Sequence, residues 1–323
     1  MQLSEQHSLT PENFNLLITT DWHIDGNTKV ENINIANNLT SYAPIDERIC
    51  LGDFNTTWYG LPAGYNYWHD TLLTLGNHDY VNPTGPFIWT NQIPISQLYT
   101  QAYEPYISSN KTVQEPNTTY WYKDCDKNIR LIGLDCMCLD SQYQQNMLSW
   151  LKTLLNDSLI QNKQVILARH WGYGDKNAST WIPCSLAPLP TYLPSNLSHN
   201  EVPELYPFEE TILNAVDDFK ANGGTFICHI HGHRHYSWVG YYEKAHGRQL
   251  GIITNSMLKE WYQFFKRETD TPSIIGANVI SVDTEGHKII VQPFGNTILK
   301  TGGKAGHCTF DYNANLIEDT FDL

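Results

Sequence analysis

The chain alternates short apolar runs with polar turns, and the runs share a kind of ending. Leu16-Leu17-Ile18-Thr19-Thr20 leads into Asp21-Trp22-His23, Ile49-Cys50-Leu51 into Gly52-Asp53, and the run from Thr71 to Leu75 into Gly76-Asn77-His78-Asp79. Val165-Ile166-Leu167-Ala168 runs towards His170, and Thr225-Phe226-Ile227 towards Gly232-His233-Arg234-His235. Apolar runs of this length bounded by turn signals predict buried strands. A strand that ends in a tight turn bearing chemical groups is where open α/β sheets hold their sites. One Gly-Asn pair marks an ordinary turn, but the repeated ending predicts one shared site.

Helical spacing fills the gaps between these runs. Val30, Ile33, Ile35 and Leu39 predict a first crossover helix within 27–39, and a further helix is expected around Ile95 to Tyr106. Met147, Trp150, Leu151, Leu154 and Leu155 share one face of a helix from Tyr143 to Leu159. A helix from Ile212 to Phe219 ends at Asn222-Gly223-Gly224, a pattern suited to a helix C-terminus. Tyr120-Trp121-Tyr122 and the run from Ile129 to Leu134 predict a hairpin turned by Asp124 to Asn128. From Tyr236 onward the chain reads as β, with strands at Trp238 to Tyr242, Leu250 to Thr254, Val279 to Val282 and Lys288 to Gln292. The expected organisation is a polar lead-in over 1–13, one α/β domain over 14–300 and a C-terminal extension over 301–323. Residues 172–207 carry many Pro, Ser, Asn and Tyr residues with little periodicity, and a loop that long predicts a lid or substrate wall.

Composition narrows the class. The 323 residues can bury a large core, 41% are hydrophobic and 12% aromatic, which excludes disorder for most of the length. A net charge of -14 argues against nonspecific nucleic-acid binding and against an anionic membrane surface. The seven cysteines are odd in number, lack Cys-x-x-Cys spacing, and include Cys50, Cys136 and Cys228 inside apolar runs, so reduced buried thiols are expected. No run approaches the length of a membrane span. The N-terminal residues form neither a basic nor an apolar signal region, from which a cytoplasmic location is expected.

The strand-end groups make a donor set for metal. Asp21, His23, Asp53, Asn77, His170, His233 and His235 offer nitrogen and oxygen ligands and no thiolate, which suits two divalent ions such as Mn, Fe, Zn or similar better than magnesium. In Asp21-x-His23 and His233-x-His235, alternate residues of an extended strand end would point the same way. His229 and His231 extend the histidine series; the first reads as a packed strand residue, the second as a supporting or structural one. Trp22, Trp58, Tyr59, Trp171 and Trp181 read either as a stacking wall for a base or sugar or as core fill.

In order and spacing, Asp21-x-His23, Gly52-Asp53, Gly76-Asn77-His78-Asp79, His170 and Gly232-His233-x-His235 resemble the calcineurin-like metallophosphoesterase family. The resemblance implies a four-layer α/β/β/α sandwich. It also implies Asp21, His23 and His235 on one metal, Asn77, His170 and His233 on the other, Asp53 bridging, and a metal-bridging hydroxide as nucleophile. His78 then protonates the leaving oxygen, and Asp79 orients His78. Phe54-Asn55-Thr56-Thr57 departs from the protein serine/threonine phosphatase pattern, and Thr56 stands where purple acid phosphatases carry a tyrosine. The expected activity is hydrolysis of a small-molecule or glycan-linked phosphodiester. The alternatives are a phosphomonoesterase or nucleotidase, and a non-catalytic module in a larger assembly.

Overall fold

The structure is a computed structural model that describes residues 9–23, 44–53, 71–80, 92–98, 113–172, 181–183, 205–233, 238–254, 276–295 and 307–319. Its strands in chain order are β1 (Phe14–Thr19), β2 (Glu47–Cys50), β3 (Leu72–Leu73), β4 (Val113–Gln114), β5 (Trp121–Asp124), β6 (Ile129–Gly133), β7 (Gln164–Ala168) and β8 (Trp181–Pro183). They continue as β9 (Thr225–His231), β10 (Trp238–Tyr242), β11 (Gln249–Ile253), β12 (Gly276–Asp283), β13 (Lys288–Gly295), β14 (Cys308–Asp311) and β15 (Leu316–Asp319). The helices are α1 (Ile95–Leu98), α2 (Ser141–Ile160) and α3 (Tyr206–Ala221), with a 3-10 turn at Asn77–Tyr80. The predicted crossover helix within 27–39 lies outside the described residues.

Two mixed sheets result. One has the order β15-β14-β13-β12-β1-β2-β3, the other β4-β5-β6-β7-β9-β11-β10-β8. Strands β1, β2 and β3 are parallel, as are β6, β7, β9 and β11, and the remaining pairs are antiparallel. Parallel strands are buried on both faces, and β1 accordingly has no exposed residue. Side-chain alternation divides the core. Leu17, Ile49 and Ile280 of the first sheet pack with Leu131, Ile166 and Ile227 of the second. Ile132, Val165, Leu167 and Phe226 point the other way, onto Met147, Leu151 and Leu154 of α2 and Ile212 and Val216 of α3. The architecture is an α/β sandwich of two facing sheets, with α2 and α3 covering the outer face of the second.

Local chemistry sets the helix ends. Asp140 caps α2 by accepting the Tyr143 N–H at 2.9 Å. Helix α3 begins at Tyr206, six residues before the expected start at Ile212, and Pro207 sits in its first turn. Proline is tolerated there because the first-turn N–H has no helical partner, so the proline that suggested loop marks the helix start. At the other end Gly224 N–H reaches Phe219 O at 3.0 Å while Gly223 adopts φ 89°, the left-handed closure its glycine permits.

Both the insertion and the C-terminal extension carry strands. Within the 172–207 insertion, Trp181–Pro183 forms an edge strand on β10, a place proline can occupy without breaking a ladder. After residue 300, β14 and β15 continue the first sheet beyond β13.

Candidate metal centre

The parallel strands β1, β2, β3, β7 and β9 all deliver their C-terminal ends to one place. Asp21 and His23 follow β1, Asp53 follows β2, Asn77 and His78 follow β3, and His170 and His233 follow β7 and β9. All are buried except His78, whose side chain retains 26% exposure. His235 and Arg234 lie outside the described residues.

The backbone at these positions is not extended. Asp21, His23, Asp53 and His233 have φ of 51°, 45°, 51° and 68°. This is the left-handed region that side-chain-bearing residues rarely adopt, and its cost persists where the surroundings fix it. Asp21 N–H donates to Gly52 O and His23 N–H to Asp53 O, each at 2.9 Å. The His233 N–H donates to Asp21 Oδ2 at 2.8 Å. The expectation that Asp21 and His23 converge as alternate residues of an extended strand is therefore corrected: they converge because the chain coils back beyond the strand end.

Asp53 is the hub. Its Oδ2 lies 3.4 Å from His170 Nε2, 3.7 Å from His23 Nε2 and 3.9 Å from His78 Nε2, while Oδ1 accepts the His78 N–H at 2.7 Å. His170 Nδ1–H donates to Leu51 O at 2.5 Å, which turns Nε2 towards the other site residues. That nitrogen is 3.1 Å from Asn77 Oδ1 and 3.2 Å from His233 Nδ1, and the last two atoms are 2.8 Å apart. On the other side His23 Nε2 is 3.7 Å from Asp21 Oδ1. The ring of His78 stands edge-on to His23 with centroids 4.7 Å apart.

These atoms fit a cation. In a tetrahedral centre with ligand bonds of about 2.0–2.1 Å, neighbouring ligands are about 3.3 Å apart; the three edges among Asn77, His170 and His233 run from 2.8 to 3.2 Å, and His170 stands 3.4 Å from Asp53. His23, Asp53 and His78 form one compact group and Asp53, His170 and His233 a second, with ligand atoms in each within 4.8 Å of one another. An imidazole whose far nitrogen donates to a backbone carbonyl is the usual arrangement of a metal-binding histidine. The field agrees. Burial alone would lower His170, yet the carboxylates of Asp53 and Asp21 push it up to about 9. Burial alone would raise Asp53, yet His170, His78 and His23 hold it well below the usual carboxylate range.

Asp79 ties two of the site's loops together. Its Oδ2 accepts the N–H of Gly76 at 2.8 Å and of Asp53 at 2.9 Å, so it joins the β2 and β3 loops. Burial and the nearby Asp53 charge push it up to about 8. Two glycines are fixed by space: a Cβ at Gly76 would fall under 3.0 Å from Asp53 Oδ1, and one at Gly232 under 3.0 Å from Thr20 Oγ1.

Sequence reasoning missed Thr20, whose hydroxyl donates to Asp21 Oδ2 at 2.7 Å; only its place next to Asp21 could have hinted at this. His229 sits fully buried between Arg169 (3.0 Å) and Gln249 (2.8 Å), a packed strand residue as expected. His231 Nε2 meets Tyr242 Oη at 3.2 Å. Trp22 and Trp171 are fully buried, so they fill the core and offer no face to a substrate. Trp58 and Tyr59 lie outside the described residues.

No family model matches the chain, and no curated protein matches it in sequence. Among solved structures it is similar to a dimetal phosphatase from Danio rerio, with a TM-score of 0.54 and 10% identity over 93% of this chain and 99% of that one. It also aligns with GAP50, the anchor in the inner membrane complex of Plasmodium, with a TM-score of 0.48 and 14% identity over 94% of this chain and 89% of that one. At 10% identity the first likeness establishes architecture: the chain has a metallophosphoesterase-like α/β fold.

Proposed function

We propose that this chain is a dinuclear metal-dependent phosphoester hydrolase acting on phosphodiesters of small molecules or glycans. The observation that carries the reading is the convergence of Asn77 Oδ1, His170 Nε2, His233 Nδ1 and Asp53 Oδ2 within hydrogen-bond or ligand-edge distance. Asn77, His170 and His233 would hold one ion, Asp21, His23 and His235 the other, with Asp53 shared. Two divalent ions of the Mn, Fe or Zn kind supply a nucleophile at neutral pH by lowering the pKa of water from 15.7 towards ~7, and neutralise charge on the phosphoryl group.

The protein groups have separate tasks. Thr20 and the His233 N–H fix Asp21 Oδ2, which directs Oδ1 towards His23 and His170. His78 is the least buried of the described site residues, so its Nε2 can meet a substrate oxygen and donate a proton to the leaving alkoxide. Asp79 preserves the separation of the Asp53 and Asn77 loops. The motif departures noted above at Phe54 to Thr57 favour a diester substrate over a phosphoprotein.

Metal analysis combined with turnover of bis-p-nitrophenyl phosphate and p-nitrophenyl phosphate tests the reading. Two bound ions with diesterase activity, both lost in Asp53→Asn, are expected. Monoester turnover alone would make it a phosphomonoesterase or nucleotidase. Bound metal with no turnover of either ester would overturn the catalytic reading in favour of an interaction module.

A further inference from the structure

Asp135 is a buried carboxylate that the proposed chemistry does not use. It follows β6 and is fully buried. Its Oδ2 accepts the hydroxyls of Tyr80 and Thr119, and the Tyr143 hydroxyl lies 3.5 Å from the same oxygen. Tyr80 is itself fully buried and closes the 3-10 turn Asn77–Tyr80. That turn belongs to the first sheet, through β3; Asp135 belongs to the second, through β6.

A second tie brackets the same segment. The Trp121 Nε1–H, on β5 of the second sheet, donates to Leu73 O of β3 at 2.7 Å. Asn77 and His78 thus lie between two hydrogen bonds that cross from sheet to sheet. Next to Tyr80, Ile93 N–H donates to Tyr80 O at 2.9 Å, and Gln92 bonds Met137 O at 2.8 Å and Leu139 N–H at 3.1 Å. The same contact could have been apolar. Burying a carboxylate is costly unless it is hydrogen-bonded, and apolar packing is non-directional. A hydroxyl–carboxylate bond instead fixes one separation.

We propose that the Tyr80–Asp135 hydrogen bond is a positioning device that sets the spacing between the sheets at which Asn77 meets His170 and His233. Tyr80 and Asp135 are positioning residues for the metal centre, and the proposal rests on the metal-centre reading above. The reason the spacing matters is that the centre is assembled from both sheets. Asp21, His23, Asp53 and Asn77 come from the first, His170 and His233 from the second. A small slide of one sheet on the other would open the 2.8 Å contact between Asn77 Oδ1 and His233 Nδ1.

The test uses the full chain, with Tyr80→Phe and, should that variant fail to fold, Asp135→Asn. Thr119→Val is the control, since it removes a donor from the same carboxylate without touching the turn. In Mn2+ titrations Tyr80→Phe is expected to weaken one of the two ions by about 10–100-fold, the range for loss of a supporting partner, and to leave the other unchanged. In metal-free protein the imidazole 15N resonances of His170 and His233 should shift in Tyr80→Phe and not in Thr119→Val. A folded Tyr80→Phe with wild-type Mn2+ affinity and unshifted imidazole resonances overturns the proposal, as does an equal loss in Thr119→Val. A wild-type chain that takes up no Mn2+ overturns the metal-centre reading instead, and the imidazole spectra then decide the positioning role alone.

Discussion

The Asp79 carboxylate reaches back along the chain to accept the Asp53 N–H at 2.9 Å. The same oxygen accepts the Gly76 N–H, so one side chain joins two of the loops that carry the site. An asparagine oxygen could accept both bonds, whereas alanine would leave two buried N–H groups without partners, at about 1–3 kcal/mol each. Asp79→Asn is therefore expected to keep its Mn2+ uptake and to lose little stability in urea, while Asp79→Ala unfolds at markedly lower urea. A phosphodiesterase rate that collapses in a well-folded Asp79→Asn would return Asp79 to the role of orienting His78.

Gly76 admits no side chain. A Cβ there would intrude on Asp53 Oδ1, the oxygen that accepts the His78 N–H. Overpacking of this kind costs about 1–3 kcal/mol and would swing the Asp53 carboxylate off its partners. Gly76→Ala is expected to retain native circular dichroism and to lose Mn2+ binding by calorimetry. Wild-type affinity in that variant would show that the Asp53 orientation is not critical.

His78 is read as the proton donor to the leaving oxygen. His78→Ala should bind metal as the wild type does and hydrolyse p-nitrophenyl diesters at a similar rate. Diesters with alkyl leaving groups should slow by ~10²-fold or more, because only a poor leaving group needs the proton. Equal effects on both substrates in steady-state assays would exclude general-acid catalysis by this residue.

Burial pushes the Asp135 carboxyl up to about 6, against the hydroxyls of Thr119 and Tyr80 that hold it down. An unfolded aspartate titrates near about 3.9. Between these values the folded chain keeps a proton that the unfolded chain has released, so stability falls as pH rises through the window. The contribution is present below about pH 4 and is lost above about pH 6, amounting to about 3 kcal/mol. Urea unfolding of metal-free wild type and Asp135→Asn at several pH values should show a steeper decline through this window in the wild type, since Asp79, also pushed up, contributes to both. Parallel profiles would exclude it.

The strands and the polar blocks at their ends were legible because both are local. Apolar runs at Leu16 to Thr20, Ile49 to Leu51 and Val165 to Ala168 announce buried strands without reference to the rest of the chain, and metal chemistry requires Asp, Asn and His within a few residues of their ends. The amphipathic face of α2 was legible for the same reason: Met147, Leu151, Leu154 and Leu155 are buried as their spacing predicted. The early start of α3 was not, since Pro207 speaks equally for a loop and for a first helical turn.

What the sequence alone determined is therefore which side chains stand at strand ends and that they make a nitrogen and oxygen donor set. Only the tertiary structure decided that Asp79 ties Gly76 to Asp53, that Trp22 and Trp171 face the core, and that Tyr80 is held by Asp135 from the opposite sheet. It alone decided the left-handed backbone at Asp21, His23, Asp53 and His233. Each of these depends on contacts between positions far apart in the chain, and no local period or composition encodes which distant partner a buried polar group will meet.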